Sequence, residues 1–370
     1  MKGQKLWSHT NRGLFWISMI MSFAGCAVLF LTGGDIHNFW NYYISNGLDG
    51  GGWESMCVQN SLLGIILDMS ALWYLIFLLG ILGISICLFL DIKKEETKEW
   101  IFSLPVSGEG IFLDHWIKGM IAYTVPLLVY GAGIFLIRWR NFSWIKEFYL
   151  LDIDWKNLLM AESPGNYIKI LVIMWIWGTA CYSIFFFFQT VCAKIIPSIL
   201  TGVGVVMTPL YLSWIAQQLM AFIEPSGLAH TAFIHIIKWK KYFIRILNDG
   251  TMNEYSTMIN NEIKSYFIRA DMKISALDMG VAVLITIVCA VLSFAYFKKI
   301  SDSCAEGIFK RKWIKIGVLT GLGLCIGSGI FTYLSFYQNM QSMGIVISGS
   351  IIFTVVFVAV VNKLMKGRGY

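Results

Sequence analysis

Long uncharged apolar runs alternate along the chain with short polar segments. Gly13 to Gly34 holds 22 residues without a charged side chain, Ala71 to Leu90 holds 20, and Gly119 to Ile137 makes a third run. Ile170 to Ala193 and Ile195 to Ile223 follow, parted by Lys194 alone. Met279 to Phe297, Ile316 to Tyr337 and Gly344 to Val361 complete the series. A helix needs about 20 apolar residues to cross a hydrocarbon core about 30 Å thick, so each run predicts a membrane-spanning helix. Pro126 is expected to kink the third. The fifth, at 29 residues, is longer than a crossing requires, and Pro209 with Gly202 and Gly204 predicts that it bends or partly unwinds.

The polar segments decide which way the spans run. Met1 to Arg12 is short and basic, and no small-residue cleavage site of a signal peptide follows the first run, which reads as an uncleaved span with its N-terminus inside. Asp35 to Ser70 carries Asp35, Asp49, Glu54 and Asp68 but no Lys or Arg, and includes the loop signal GLDGGGW, which marks an external face. Glu224 to Asp278 is a second polar region. Within it Ala229 to Leu247 is amphipathic, with Lys238, Lys241 and Arg245 on one face, and reads as an interfacial helix. Asn253 to Asp271 reads as a more soluble helix. Eight crossings with both termini inside place 17 of the 29 basic residues and 8 of the 22 acidic ones on the cytoplasmic side. Arg138, Arg140 and the basic face near Lys238 fall on the side that the rule disfavours.

Composition agrees. The 370 residues are 57% hydrophobic, 15% aromatic and only 14% charged, with a mean hydropathy of +0.67. Soluble domains carry about 25% charged residues, so a water-soluble fold could not cover this much apolar surface. The net charge of +7 bears on topology; no basic run interleaved with aromatics supports nucleic-acid binding. The eight cysteines, Cys26, Cys57, Cys87, Cys181, Cys192, Cys289, Cys304 and Cys325, form no CxxC pair. Most lie in or beside apolar runs as small hydrophobes, which argues against an external disulfide framework.

Candidate chemistry is sparse. The runs are essentially free of ionisable residues, which weakens an ion-coupled transporter. There is no HExxH pattern, and the five-residue spacing of His230 and His235 does not place both on one helical face, so no metal site is expected. Glu95-Glu96 resembles the paired glutamates of intramembrane prenyl-protein proteases but lacks the arginine that should follow. The glycines of GLGLCIG lie inside the seventh run, and no Walker pattern exists in the chain, so it is not itself an ATPase of that class and needs no cofactor of its own. Gly317-x3-Gly321 and Gly323-x3-Gly327 instead predict close helix packing, within the chain or against a second subunit.

One polar interruption stands out. Asp91 to Leu104 begins with alternating acids and bases and ends in Trp100, Ile101, Phe102 and Leu104; Pro105 ends any helix there. Ser107 is placed to cap a second short helix leading through Ile111, Phe112 and Trp116 into the third span. The string EETKEWIFSLPVSGEGIF resembles the segment before the third span of type-2 ABC exporter permeases, in which a charged helix runs into a Leu-Pro-Val-Ser elbow. The matching positions are Glu96, Thr97, Glu99, Phe102, Ser103, Leu104, Pro105, Val106, Ser107 and Lys118. Gly108 stands where the family usually has a basic residue, and two spans follow the sixth.

The resemblance implies an all-α polytopic membrane protein with about eight transmembrane helices. Residues 1–300 would form a six-span permease domain, 301–370 two further spans packed on it. The cytoplasmic elbow lies between spans 2 and 3, and an external helical region between spans 5 and 6. It also implies a permease subunit in a bacterial cell membrane, paired with a separate ABC ATPase that binds ATP and Mg, and with a second, identical or homologous permease. Glu95, Glu96, Lys98 and Glu99 would face the ATPase, Trp100, Phe102, Leu104, Pro105 and Ser107 would anchor the elbow, and Lys194 would lie in a second contact. The aromatic spans, with Phe185 to Phe188, Trp175 and Trp177, suit an amphipathic or lipid-like cargo such as an antimicrobial peptide, and suit lipid contact equally. The alternatives are a membrane-embedded sensor or immunity protein that binds a peptide or lipid externally without ATP, and a polytopic enzyme with an external site.

Overall fold

The computed structural model describes residues 10–31, 62–93, 108–150, 164–223, 253–259, 262–268, 276–297, 312–337 and 343–367. They form α1 (Thr10–Leu31), α2 (Leu62–Phe89), α3 (Gly108–Leu150), α4 (Pro164–Val191) and α5 (Ile195–Ile223). A hairpin of β1 (Asn253–Ile259) and β2 (Glu262–Ile268) comes next, then α6 (Ala276–Phe297), α7 (Lys312–Tyr337) and α8 (Met343–Gly367). Six of the helices, α1 to α4, α6 and α7, are long and apolar enough to cross a membrane, and α5 and α8 carry the shorter apolar stretches Ile195–Thr208 and Val346–Val361. The architecture is consistent with a polytopic membrane protein.

Three elements depart from the expectation. Residues 253–268 pair as antiparallel strands, Asn253 opposite Ile268 and Ile259 opposite Glu262, where the sequence predicts a helix, so the fold is not purely α. Both strands are rich in β-branched and aromatic residues, which favour a pleated, paired backbone. The helix expected to start near Ser107 and the third span are one helix of 43 residues with Pro126 inside it. Between Ile111 and Lys118 no Gly or Pro interrupts the backbone ladder, so nothing stops the first turns from running on into the span. Finally, α5 is helical throughout its 29 residues rather than unwound at its glycines. Its Pro197 sits in the first turn, where a missing N–H costs little. The interfacial helix expected over Ala229 to Leu247 and residues 35–61 of the external region expected over Asp35 to Ser70 lie outside the described residues, while the rest of that region, 62–70, is the start of α2.

The chain clusters into two compact units, the first comprising Met1–Cys87, Trp116–Ala180 and Ile244–Leu284, the second Leu88–His115, Cys181–Phe243 and Ile285–Tyr370. In the first, glycines let helices approach. A Cβ on Gly25 would lie 2.6 Å from Trp73 Nε1, one on Gly178 2.8 Å from Phe77, and one on Gly133 would collide with Leu29. Small residues at such points allow the close backbone approach that helices in lipid depend on. Trp73 is fully buried and stacks on Tyr130 with ring centroids 3.9 Å apart, and Phe77 stacks on the same indole at 5.0 Å. Ser18 donates to the Ala122 carbonyl at 2.6 Å, and the Tyr123 and Thr179 hydroxyls share a 2.8 Å bond. Arg138, which the expected topology puts on the side the charge rule disfavours, lies over the rings of Phe142 and Tyr167 at 5.0 and 5.7 Å, where the π faces help to hold its charge.

In the second unit α7 and α8 pack along one another. Gly323 and Gly327 face α8: a Cβ on Gly323 would lie 3.0 Å from Thr354, and one on Gly327 3.0 Å from the Ser350 carbonyl oxygen. Gly317 and Gly321 have nothing within 4 Å of that position. The two glycine pairs thus differ, and only the second lies at a helix contact among the described residues. The Tyr211 hydroxyl of α5 donates to the Cys325 carbonyl of α7 and lies over Gly329.

Candidate coupling site

Of the residues expected to couple to an ATPase, Glu95, Glu96, Lys98, Glu99, Trp100, Phe102, Leu104, Pro105 and Ser107 lie outside the described residues. Both ends of that segment are described, and each is tied into the second unit by a different kind of contact.

The leading end is polar. After α2 finishes at Phe89, the Lys93 amide closes a last turn on the Phe89 carbonyl at 3.0 Å. The Lys93 ammonium then reaches Gln189 Oε1 at 2.5 Å, Ser198 Oγ at 3.0 Å and the Lys194 carbonyl at 3.4 Å. Three acceptors thus surround a group with three N–H donors. Gln189 and Ser198 are each 1% exposed, and Ser198 Oγ lies 2.8 Å from Gln189 Oε1 and 2.6 Å from the Ile195 carbonyl. Its single proton goes to one of these, while its lone pairs face the ammonium. A partly buried cation needs such acceptors, because an amide or hydroxyl buried beside it without a partner would cost roughly 1–3 kcal/mol. Lys194 itself is exposed; its contribution here is its backbone carbonyl, which also accepts from the Ser198 amide at 3.4 Å in the first turn of α5.

The trailing end is aromatic. Phe112, 5% exposed in the second turn of α3, meets Phe186 edge-on at 5.6 Å, Phe294 at 5.4 Å and Phe297 at 6.0 Å. Phe89 at the end of α2 joins the same cluster through Phe186 at 4.8 Å and Phe297 at 6.4 Å. Edge-to-face pairs of this kind add about 0.5–1.5 kcal/mol each beyond their buried area. Tyr182 donates to the His115 carbonyl at 3.2 Å, and His115 bonds back to the Ile111 carbonyl at 2.8 Å. Tyr182, Phe186 and Gln189 lie at i, i+4 and i+7 of α4, one stripe of a helix, so a single face of α4 serves both ends.

Most of the aromatic run of the fourth span is covered by protein. Phe185, Phe186 and Phe188 are buried at 4%, 0% and 8% exposure, and so face protein rather than lipid. Phe185 backs onto Gly202, whose absent side chain leaves room for its ring. The composition of the run suits either environment; the neighbouring helices decide. Gln189 and Ser198 do not stand out in the sequence because neither is ionisable. A signal is nevertheless present: a glutamine inside an apolar run is costly in hydrocarbon and calls for a partner. Among the described residues, no three His, Cys, Asp or Glu side chains gather as a metal site would require. The chain matches no family model, no curated protein and no solved structure.

Proposed function

We propose that the chain is the transmembrane subunit of an ATP-driven ABC-type exporter, with eight spans, both termini in the cytoplasm, and Asp91 to Ser107 as the docking segment for a separate ATPase. ATP and Mg belong to that partner. A second permease subunit completes the pathway, and the cargo is amphipathic or lipid-like, an antimicrobial peptide being the type case. The observation that carries this reading is the anchoring of the segment's two ends. Lys93 is bonded to Gln189, Lys194 and Ser198, and Phe112 is set among Phe89, Phe186 and Phe297. A charged segment that only filled space between spans would not need both its feet fixed to the same helix face. Together with the EETKEWIFSLPVS string, this favours a segment that bears load.

Affinity purification of the full-length chain from its native membrane in mild detergent tests the reading. Mass spectrometry should identify a co-purifying polypeptide that carries Walker motifs, in a fixed ratio to this chain. A chain that purifies alone, or only with proteins lacking a nucleotide site, would support the sensor or immunity alternative instead.

A further inference from the structure

We propose that Lys93 is a positioning residue that ties the end of α2 to the α4–α5 turn, so that load applied to residues 94–107 reaches α4 and α5 as well as α2. The source of the load rests on the exporter reading; the tie itself does not. Lys93 is the last described residue before the segment, and its acceptors come from three places: the last turns of α4 (Gln189), the turn itself (Lys194) and the first turn of α5 (Ser198). Charge-assisted bonds of this kind are roughly twice as strong as neutral ones. A point charge fits the site for a further reason. The Lys194 carbonyl already accepts the Ser198 amide, and the ammonium, whose three donors rotate freely, can use its remaining lone pair.

The knot has two tiers. Gln189 Oε1 and Ser198 Oγ lie 2.8 Å apart, and only residues 192–194 separate α4 from α5, so the two helices stay joined without the lysine. Lys93 adds α2 to that pair. Removing the ammonium should therefore free α2 alone, whereas removing the Gln189 oxygen should free α2 and loosen α4 from α5. Backbone geometry at the α2 end fits the same division, since the Lys93 amide closes the last turn on the Phe89 carbonyl at the helix terminus.

Hydrogen–deuterium exchange of the full-length chain in lipid nanodiscs tests the tie. In Lys93→Met, amides of residues 90–93 should exchange severalfold faster while those of 195–198 stay near the wild-type rate. In Gln189→Leu both sets should speed up, and Lys93→Arg should keep wild-type protection. With the co-purified ATPase, Lys93→Met should lower ATP hydrolysis of the complex relative to the isolated ATPase without lowering the amount of ATPase bound, and Lys93→Arg should restore it. Wild-type exchange at 90–93 in Lys93→Met would overturn the tie. Faster exchange with undiminished hydrolysis would overturn its part in coupling. Faster exchange in a chain that binds no ATPase would leave the tie standing and contradict the exporter reading.

Discussion

Gly321 and Gly327 occupy the same helix, yet their surroundings differ. A methyl group at Gly321 would enter open space, while at Gly327 it would press on the backbone of Ser350 at 3.0–3.2 Å. Backbone cannot swing aside as a flexible side chain does, so Gly327→Leu should force α7 and α8 apart at a cost of roughly 1–3 kcal/mol. Gly321→Ala adds no clash and gains about 1 kcal/mol at most from helix propensity. Heating each variant in detergent and following the intact fraction by size-exclusion chromatography checks this. Gly327→Leu should be lost at clearly lower temperature and Gly321→Ala should track the wild type. Equal behaviour would mean that the α7–α8 contact does not depend on the missing side chain. The same contrast shows what can be read in advance. The sequence motif marks both glycine pairs alike, because spacing reports which residues share a face and not what stands opposite.

The elements follow a similar division. Each of the eight uncharged runs is helical over most of its length, since some 20 apolar residues in a row leave the backbone little alternative. The ends are harder to place, because polar residues at a helix terminus are equally at home in a loop. Thus α2 begins at Leu62, ahead of Ala71, and carries Asp68 within it. The hairpin over 253–268 is not legible because a short segment of mixed polarity has no strong period, and its pairing depends on a partner strand that a single window does not contain. For α3, continuity itself is testable. Leu113 is 51% exposed, so its side chain contributes little, but a proline there would remove a ladder bond and strike the carbonyl of Glu109. Leu113→Pro should cost about 3 kcal/mol and detach Phe112 from its cluster, while Leu113→Ala should be tolerated. The thermal stability of the two variants distinguishes one helix from two, because a break at this point would make the proline harmless.

Across the whole molecule, charge and chemistry are unevenly placed. The apolar helices hold few ionisable groups, and described polar side chains gather around Lys93, at the leading end of residues 94–107. The stretch is legible as unusual through its charge density and its Leu-Pro-Val-Ser string. What holds the stretch in place is not, because Gln189, Ser198, Phe186 and Phe297 lie about 90 to 200 residues away in the chain and look like ordinary span residues. Long-range pairing of this sort becomes visible only once the helices are assembled.

If the segment is a docking site, its acids should matter more to the partner than to this chain. Reversing Glu95, Glu96 and Glu99 to lysine together exchanges charged side chains and removes no apolar one, so membrane insertion and thermal stability should stay close to wild type. The most direct measurement is ATP hydrolysis by the purified ATPase in the presence of wild-type or triply reversed chain in nanodiscs. The wild-type chain should stimulate hydrolysis and the reversed chain should not. Equal stimulation by both would contradict the docking role of residues 94–107 and, with it, the account of the anchored segment as the place where an external motor is attached.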